Sequence, residues 1–152
     1  MRCAMNHETQ LQTFLESAQE AALEQRRLQR RQEELERRYA ALANHRSAVA
    51  RRLKAKLSAE HRREADLVGR ELEQYRRVES FIAKLGASSH RTILRRRYLE
   101  IGGGWSEVRS RLAEDGLVYS PRQLLRLYAE AMEAARLLWM EEGEEESDRE
   151  RR

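Results

Sequence analysis

The chain has 152 residues, of which 37% are charged and 6% aromatic, so it has too little apolar surface for the large core of an α/β enzyme. Most of its charge comes from two strong helix formers, with 27 Arg against 3 Lys and 23 Glu against 3 Asp. Only 7 Gly and 1 Pro interrupt the sequence, and the net charge is +4. The composition therefore predicts an all-α protein that is elongated in part.

The sequence also excludes several functional classes. The apolar run Leu137–Met140 is far too short to span a membrane, and residues 1–7 lack the apolar segment of a secretion signal. The single Cys3 allows no internal disulfide, and the four scattered His residues predict no metal site. We therefore expect a cytoplasmic protein with no membrane partner. Because no catalytic set or cofactor fingerprint is present, we also expect that it is not an enzyme and binds no cofactor.

Charge and texture divide the chain into three predicted segments. Residues 1–87 carry a net charge of +5, residues 88–140 carry +3, and residues 141–152 carry −4. The last segment is almost entirely Glu, Asp and Arg with nothing to bury, so it predicts an acidic disordered tail.

The first segment predicts a helical coiled-coil arm. Apolar residues recur there at heptad positions, interrupted by Gln25 and Gln32. Asn44 is suited to end one helix and Ser47 to cap the next, which favours a long helical hairpin over a single rod. Because the apolar seam is thin, we expect a homodimer through these N-terminal helices. The heptad residues are Leu11, Phe14, Ala18, Ala21, Leu28, Leu35, Tyr39 and Leu42.

The segment 88–140 predicts three shorter helices. The first runs through residues 90–99 and is ended by the glycines 102–104, the second starts at Trp105, and a turn follows at Asp115-Gly116. The third start is the clearest: Ser120 at the N-cap, Pro121 at the next position and Gln123 two residues further on form a capping box. A short helix, a turn and a following helix that begins with polar residues indicate a helix-turn-helix DNA-binding domain.

The third helix has the character of a recognition helix. Arg122, Gln123 and Arg126 share one face of its first two turns, opposite an apolar face. Arg can pair with guanine and Gln with adenine in the major groove. The predicted DNA-binding residues are therefore Ser120, Arg122, Gln123 and Arg126, with phosphate contacts from the first short helix by Arg91, Arg95 and Arg96.

These residues carry a resemblance. The run 90–98 followed by a Trp, a Tyr-Ser pair and an Ala resembles the sigma-70 region 4-like helix-turn-helix. It is more closely similar to the ArpU-type transcription regulators of phages and prophages. The chain departs from that pattern in being several residues longer between Tyr98 and Ser120, where Leu112-Ala113 fits the family better than Val108-Arg109. The matching residues are Arg91, Leu94, Arg97, Tyr98, Trp105, Tyr119, Ser120, Ala131 and Met132.

The resemblance implies a regulator of phage or prophage transcription that binds double-stranded DNA and works with host RNA polymerase. It also implies that Arg97 and Tyr98 belong to the scaffold. Two alternatives remain open at this point. One is a DNA-recognition component of phage packaging, like a small terminase subunit. The other is a coiled-coil interaction or scaffold protein without a DNA role.

Overall fold

The computed structural model describes residues 2–100 and 104–151, with side chains from residue 7 onward. The predicted all-α fold with an N-terminal helical hairpin is confirmed over these residues, which contain no strand. In this part of the chain, no helix is both long enough and apolar enough to cross a membrane. The elements are α1 (Arg2–Leu42), α2 (Ala48–Ala83), α3 (Ser88–Leu94) with its π-helical continuation (Arg95–Leu99), α4 (Trp105–Glu114) and α5 (Pro121–Glu150).

The turn between α1 and α2 is held by local side-chain bonds. The hydroxyl of Ser47 accepts a hydrogen bond from the amide of Ala50 at 3.1 Å, as expected of a helix cap. The ammonium of Lys54 donates to the carbonyls of Ala43 and His45, both at 3.1 Å. These carbonyls follow the end of α1 and lack helical partners, so the turn is satisfied without a second chain.

The chain divides into two compact units, and the division differs from the predicted boundary at residue 87. Unit 1 comprises Met1–Gln19 and Tyr75–Arg152, and unit 2 comprises Glu20–Gln74. The start of α1 and the end of α2 therefore belong with the C-terminal helices. The physical reason is that their apolar residues, including Leu11, Leu15 and Ile82, lie in the same buried cluster as residues of α3 and α5.

Unit 2 is the remaining part of the helical hairpin. Its fully buried apolar side chains are few among the described residues: Ala21, Leu28, Leu35 and Ala50. Among the described residues, polar contacts connect the helices between Arg31 and Glu60 at 3.8 Å and between His61 and Glu36 at 3.1 Å. The apolar seam between the two helices is therefore thin, as the Gln residues at heptad positions predict.

Unit 1 holds the main core. Three aromatic rings meet in it, with ring centroids 4.9 Å apart for Phe14 and Trp139, 5.5 Å for Phe14 and Phe81, and 5.8 Å for Phe81 and Trp139. The largest fully buried side chains of this unit are Tyr98, Leu11, Leu15, Ile82, Ile93, Leu94, Leu112 and Leu124. The core thus takes residues from all five α-helices and the π-helical segment.

The π-helical segment has a packing reason. Its buried residues Tyr98 and Leu99 follow the buried pair Ile93 and Leu94 at a spacing of five. Because π-helical hydrogen bonds span five residues, this winding brings both pairs to the same side. The segment ends at Glu100, whose backbone is extended. The predicted stop at Gly102 and Gly103 falls outside the described residues.

The turn after α4 is a Schellman motif. The amide of Leu117 donates to the carbonyl of Leu112 at 2.9 Å, and the amide of Gly116 donates to the carbonyl of Ala113 at 3.0 Å. Gly116 has a φ of 83°, the left-handed conformation that this motif requires. The predicted turn at Asp115-Gly116 is therefore observed, and it sets the direction in which α5 begins.

The predicted disorder of residues 141–152 is not what the structure shows. Helix α5 continues through the acidic segment to Glu150, and Lys84 forms an ion pair with Glu142 at 2.6 Å. Glu is a good helix former, and extending a packed helix avoids the cost of nucleation, so the segment needs no buried face of its own to remain helical.

Candidate nucleic-acid interface

The start of α5 is fixed by the predicted capping box. The hydroxyl of Ser120 accepts a hydrogen bond from the amide of Gln123 at 3.2 Å. In return, Oε1 of Gln123 accepts from the amide of Ser120 at 2.9 Å. Pro121 occupies the first helical position and needs no acceptor. The first turn therefore has a defined position and direction.

This cap restricts two of the predicted DNA-binding residues. The carbonyl oxygen of Gln123 is committed to the backbone of Ser120, whereas pairing with adenine needs both ends of that amide. The oxygen of Ser120 is committed as an acceptor, but its hydroxyl hydrogen is still able to donate to a phosphate. Ser120 fits a phosphate contact in this geometry, and Gln123 fits a structural role.

Arg122 and Arg126 are available for a ligand. Both side chains are exposed on the side of α5 opposite the buried Leu124 and Ala131. Neither forms an ion pair or side-chain hydrogen bond with the described residues. They are four positions apart, so their guanidinium groups lie on one stripe about one helical turn apart. The structure therefore presents two unpaired cations where a recognition helix would begin.

The backbone adds a donor at the same place. Among the first-turn amides, those of Gln123 and Leu124 donate to the side chain and carbonyl of Ser120. Proline has no N–H, and the amide of Arg122 has no acceptor within the described part of the chain. A free amide at a helix start, together with the positive end of the helix dipole, favours an anion such as a phosphate.

The residues predicted to contact phosphate from the first short helix differ in whether they already have a partner. Arg95 is exposed and has no partner among the described residues. By contrast, Nη1 of Arg91 donates to the carbonyls of Leu85 and Gly86 at 2.5 and 3.0 Å, which closes the loop between α2 and α3. Arg91 therefore holds the fold together, because those two carbonyls follow the end of α2 and need donors.

Arg96 is also committed to the protein. It forms ion pairs with Asp115 in the turn after α4 and with Glu100, each at 2.5 Å. The hydrogen bond to Asp115, followed by that to Glu100, raises the pKa of Arg96. Arg111 of α4 reaches the second oxygen of Glu100 at 3.1 Å. This network connects the π-helical segment to α4 and its turn, and its arginine charges are offset by carboxylates.

Arg109 is a candidate that sequence reasoning missed. Its Nε donates to the carbonyl of Tyr119 at 2.9 Å, directly before the N-cap of α5. The side chain is exposed, so its terminal nitrogens add positive charge beside Ser120. In the sequence Arg109 appears only as a bulky residue in the family pattern, and nothing there indicates a contact ten residues away.

Two exposed apolar side chains border these cations. Val118 in the turn is 80% exposed, and Leu125 in the first turns of α5 is 52% exposed. Apolar side chains that enter the major groove contact thymine methyl groups. With Arg109, Ser120, Arg122 and Arg126, they form what we call the α5 interface: Arg109, Val118, Ser120, Arg122, Leu125 and Arg126.

Behind this interface lies an aromatic scaffold. The indole of Trp105 packs edge-on against Tyr128, with ring centroids 4.6 Å apart. The hydroxyls of Tyr98 and Tyr128 share a hydrogen bond. Burial, together with this hydrogen bond, raises the pKa of Tyr98 far above its usual value. The guanidinium of Arg97 lies 5.2 Å from the Trp105 ring. These contacts connect the π-helical segment and α4 to α5 and fix how α5 is presented.

Beyond its first turns, α5 becomes unfavourable to a phosphate backbone. Glu130 and Glu133 are exposed there. Glu133 is paired with Arg136 at 2.6 Å, and the hydrogen bonds from Arg136 lower its pKa. Any contact with a polyanion is thus confined to the N-terminal end of the helix.

Among the described residues, no three His, Cys, Asp or Glu side chains are grouped so as to hold a metal ion. The α5 interface contains hydrogen-bond donors, positive charge and apolar contacts, but no nucleophile paired with a base.

Comparison with known proteins gives no relative: no family model, curated protein or solved structure matches this chain.

Proposed function

We propose that this chain is a cytoplasmic DNA-binding transcription regulator of phage or prophage type that uses the α5 interface to contact double-stranded DNA. Arg122 and Arg126 would enter the major groove, where a guanidinium pairs with O6 and N7 of guanine. The hydroxyl of Ser120 and the amide of Arg122 would bind a phosphate and set the register. Val118 and Leu125 would supply apolar contacts to thymine.

The observation that carries the proposal is that Arg122 and Arg126, within the described part of the chain, are unpaired at the start of α5. Several other arginines of unit 1 are committed: Arg91 to backbone carbonyls, Arg96 and Arg111 to carboxylates, and Arg136 to Glu133. Arg122 and Arg126 are left unpaired at a helix start whose direction is fixed by a capping box and a Schellman turn.

The proposal also rests on the resemblance to ArpU-type regulators. Four of its matching residues, Arg97, Tyr98, Trp105 and Ala131, lie in or against the scaffold that positions α5. A motif whose residues pack together is typical of a fold requirement. The resemblance supplies the expected setting, in which the bound regulator recruits host RNA polymerase, while a homodimer through the N-terminal helices would double the DNA contacts.

Duplex binding tests the proposal directly. Fluorescence anisotropy of the full chain is measured against promoter fragments and random duplexes over a series of salt concentrations. We expect salt-dependent binding that Arg122→Ala/Arg126→Ala weakens by about 10-fold or more, since each good base contact is worth about 1–3 kcal/mol.

A matched control removes the same charge from the same helix. Arg136→Ala/Arg149→Ala takes two cations from α5 outside the α5 interface, so DNA binding should change by less than about twofold. Equal loss of DNA affinity in both double variants would show that the effect depends only on net charge. Unchanged binding by the Arg122/Arg126 variant would refute α5 as the reader.

A further inference from the structure

The end of the helical hairpin in unit 2 has an unusual charge pattern. Residues 37–59 contain seven Lys or Arg and no Asp or Glu, although Glu is frequent on both sides of this stretch. Elsewhere in the first 87 residues, pairs of Arg alternate with Glu, so their opposite charges offset each other. This stretch, which includes the turn between α1 and α2, therefore carries a strong local positive charge despite the modest net charge of the chain.

Five basic residues of α2 share one broad face, and Lys54, which binds the turn, is not one of them. At 100° per residue they lie on the side away from the buried Ala50 and the partly buried Leu57 and Val68. The small residues Ala55 and Ala59 lie between them on the same side. All five basic side chains are exposed. We call this face the basic ridge: Arg51, Arg52, Lys56, Arg62 and Arg63.

Arg51, Arg52 and Lys56 of the basic ridge lie in the acid-free stretch, whereas Arg62 and Arg63 are flanked by Glu60, Glu64 and Asp66. Arg51 and Arg62 each donate one hydrogen bond to a backbone carbonyl, at 3.4 Å in both cases. No ridge residue forms an ion pair with a described carboxylate. In contrast, three arginines of α1 each have a Glu partner: Arg27 with Glu24, Arg31 with Glu34 and Glu60, and Arg38 with Glu34.

We propose that the basic ridge is a second nucleic-acid-binding surface, separate from the α5 interface, which grips the phosphate backbone of duplex DNA without reading its sequence. From Arg51 to Arg63 the ridge extends about 18 Å at about 1.5 Å per residue. One DNA strand carries a charge about every 3.4 Å of helix axis, so the ridge faces roughly five phosphates.

The side chains of the ridge favour duplex DNA over two other polyanions. Four of the five cations are Arg, whose planar group binds phosphate oxygens in pairs. The residues between them are Ala, so the ridge offers no large apolar group to insert into a lipid surface. It also contains no aromatic ring on which single-stranded bases would stack. The exposed Val49 and Leu53 lie outside the ridge at its edge, about 20° and about 60° from Lys56 around α2.

The test uses the full chain and a short duplex of random sequence. Arg52→Gln/Lys56→Gln/Arg63→Gln removes three ridge charges. Arg27→Gln/Arg31→Gln/Arg38→Gln is the matched control, because it removes the same charge from the ion-paired arginines of the same unit. Circular dichroism verifies that both variants keep their helix content. Affinity is measured between about 50 and about 200 mM salt.

The expected result is specific to the ridge. Its variant should lose at least about 10-fold in affinity at low salt, and its salt slope should fall by about 2.7, which is about 0.9 for each phosphate contact removed. The control should stay within about twofold. Equal behaviour of the two variants overturns the proposal, and so does a ridge variant that loses binding only to phosphatidylserine vesicles.

The test distinguishes failure of the ridge proposal from failure of the proposed function of α5. If the ridge variant loses binding to every duplex while Arg122→Ala/Arg126→Ala binds normally, the ridge is a DNA surface and α5 is not the reader. If only the Arg122/Arg126 variant loses binding, the ridge proposal fails and α5 stands. Loss in both variants supports both surfaces.

Discussion

The indole of Trp139 in α5 packs against the phenyl ring of Phe14 in α1, with ring centroids 4.9 Å apart. These residues are 125 positions apart in the sequence, and Phe81 of α2 contacts both rings. Helix α5 is therefore anchored far from its N-terminal start, by the first helix of the chain. The residues of the predicted helix-turn-helix share their buried core with residues of α1 and α2.

Trp139→Ala should destabilise the protein by about 2–3 kcal/mol, somewhat less than the about 3–5 kcal/mol seen for a fully buried aromatic residue, since Trp139 is half-buried. Leu137→Ala is the control two residues away: Leu137 is 54% exposed, and the change should stay within about 0.5 kcal/mol. Urea unfolding followed by circular dichroism measures both. Similar values for the two variants would contradict an aromatic anchor.

Tyr98 predicts a pH dependence of stability. Its pKa is raised by burial and by the hydrogen bond to Tyr128. Below about pH 10 both the folded and unfolded states keep the phenolic proton, so this contribution is constant. Above about pH 10 the unfolded state ionises while the folded state stays neutral, so the free energy of unfolding falls by up to about 1.4 kcal/mol per pH unit.

Tyr98→Phe removes that pH dependence. At neutral pH it should cost about 1 kcal/mol, because the hydrogen bond to Tyr128 is lost. Between about pH 10 and about pH 11, the stability of the variant should fall less steeply than that of the wild type. Urea midpoints across this range measure the difference. Parallel curves for the two proteins would show that Tyr98 ionises equally easily in the folded and unfolded states.

Gly116 tests the turn that sets the direction of α5. A Cβ added there meets no atom within 4 Å, so Gly116→Ala isolates the cost of a left-handed residue, about 1–2 kcal/mol. Gly143→Ala has equal space within α5 and should be neutral or stabilise by up to about 1 kcal/mol. Thermal unfolding of the pair gives the comparison. Loss of stability in Gly143→Ala would argue against a helix through the acidic segment.

The cap at Ser120 separates its structural role from its proposed phosphate contact. Ser120→Ala removes the bond to the amide of Gln123 and should cost about 1 kcal/mol, whereas Ser120→Asp keeps an acceptor and preserves most of the stability. The order of the two variants in DNA affinity should be the reverse of their order in stability, because a carboxylate repels a phosphate. We expect Ser120→Asp to fold well and bind DNA more weakly than Ser120→Ala. Thermal unfolding and anisotropy on the same samples test the reversal.

The sequence predicts well those features that are encoded by neighbouring residues. The capping box of Ser120 and Gln123, the cap at Ser47 and the turn at Gly116 all depend on bonds within a few positions, and all are observed. The all-α fold and the hairpin follow from composition and heptad spacing. Local backbone groups left unsatisfied at helix ends need particular residues, and these can be identified from the sequence.

The candidate site is only partly predictable for the same reason. The exposure of Arg122 and Arg126 follows from helical periodicity. The hydrogen bonds of Arg91 do not, since its acceptors belong to a loop closed by packing. Gln123 carries two signals, cap and base reader, and the structure favours the cap. Arg109 reaches Tyr119 only after α4 and α5 have taken their relative positions.

The sequence by itself determined the helices, their caps and the basic stretch between residues 37 and 59, because propensity, capping and charge are properties of short segments. The tertiary structure decided which residues share a core, how the five-residue spacing of Ile93–Leu94 and Tyr98–Leu99 becomes a π-helical turn, and which arginines remain unpaired. Those outcomes depend on contacts between distant residues, such as Trp139 with Phe14 and Arg96 with Asp115. Such contacts form only where burial of apolar surface brings the helices together.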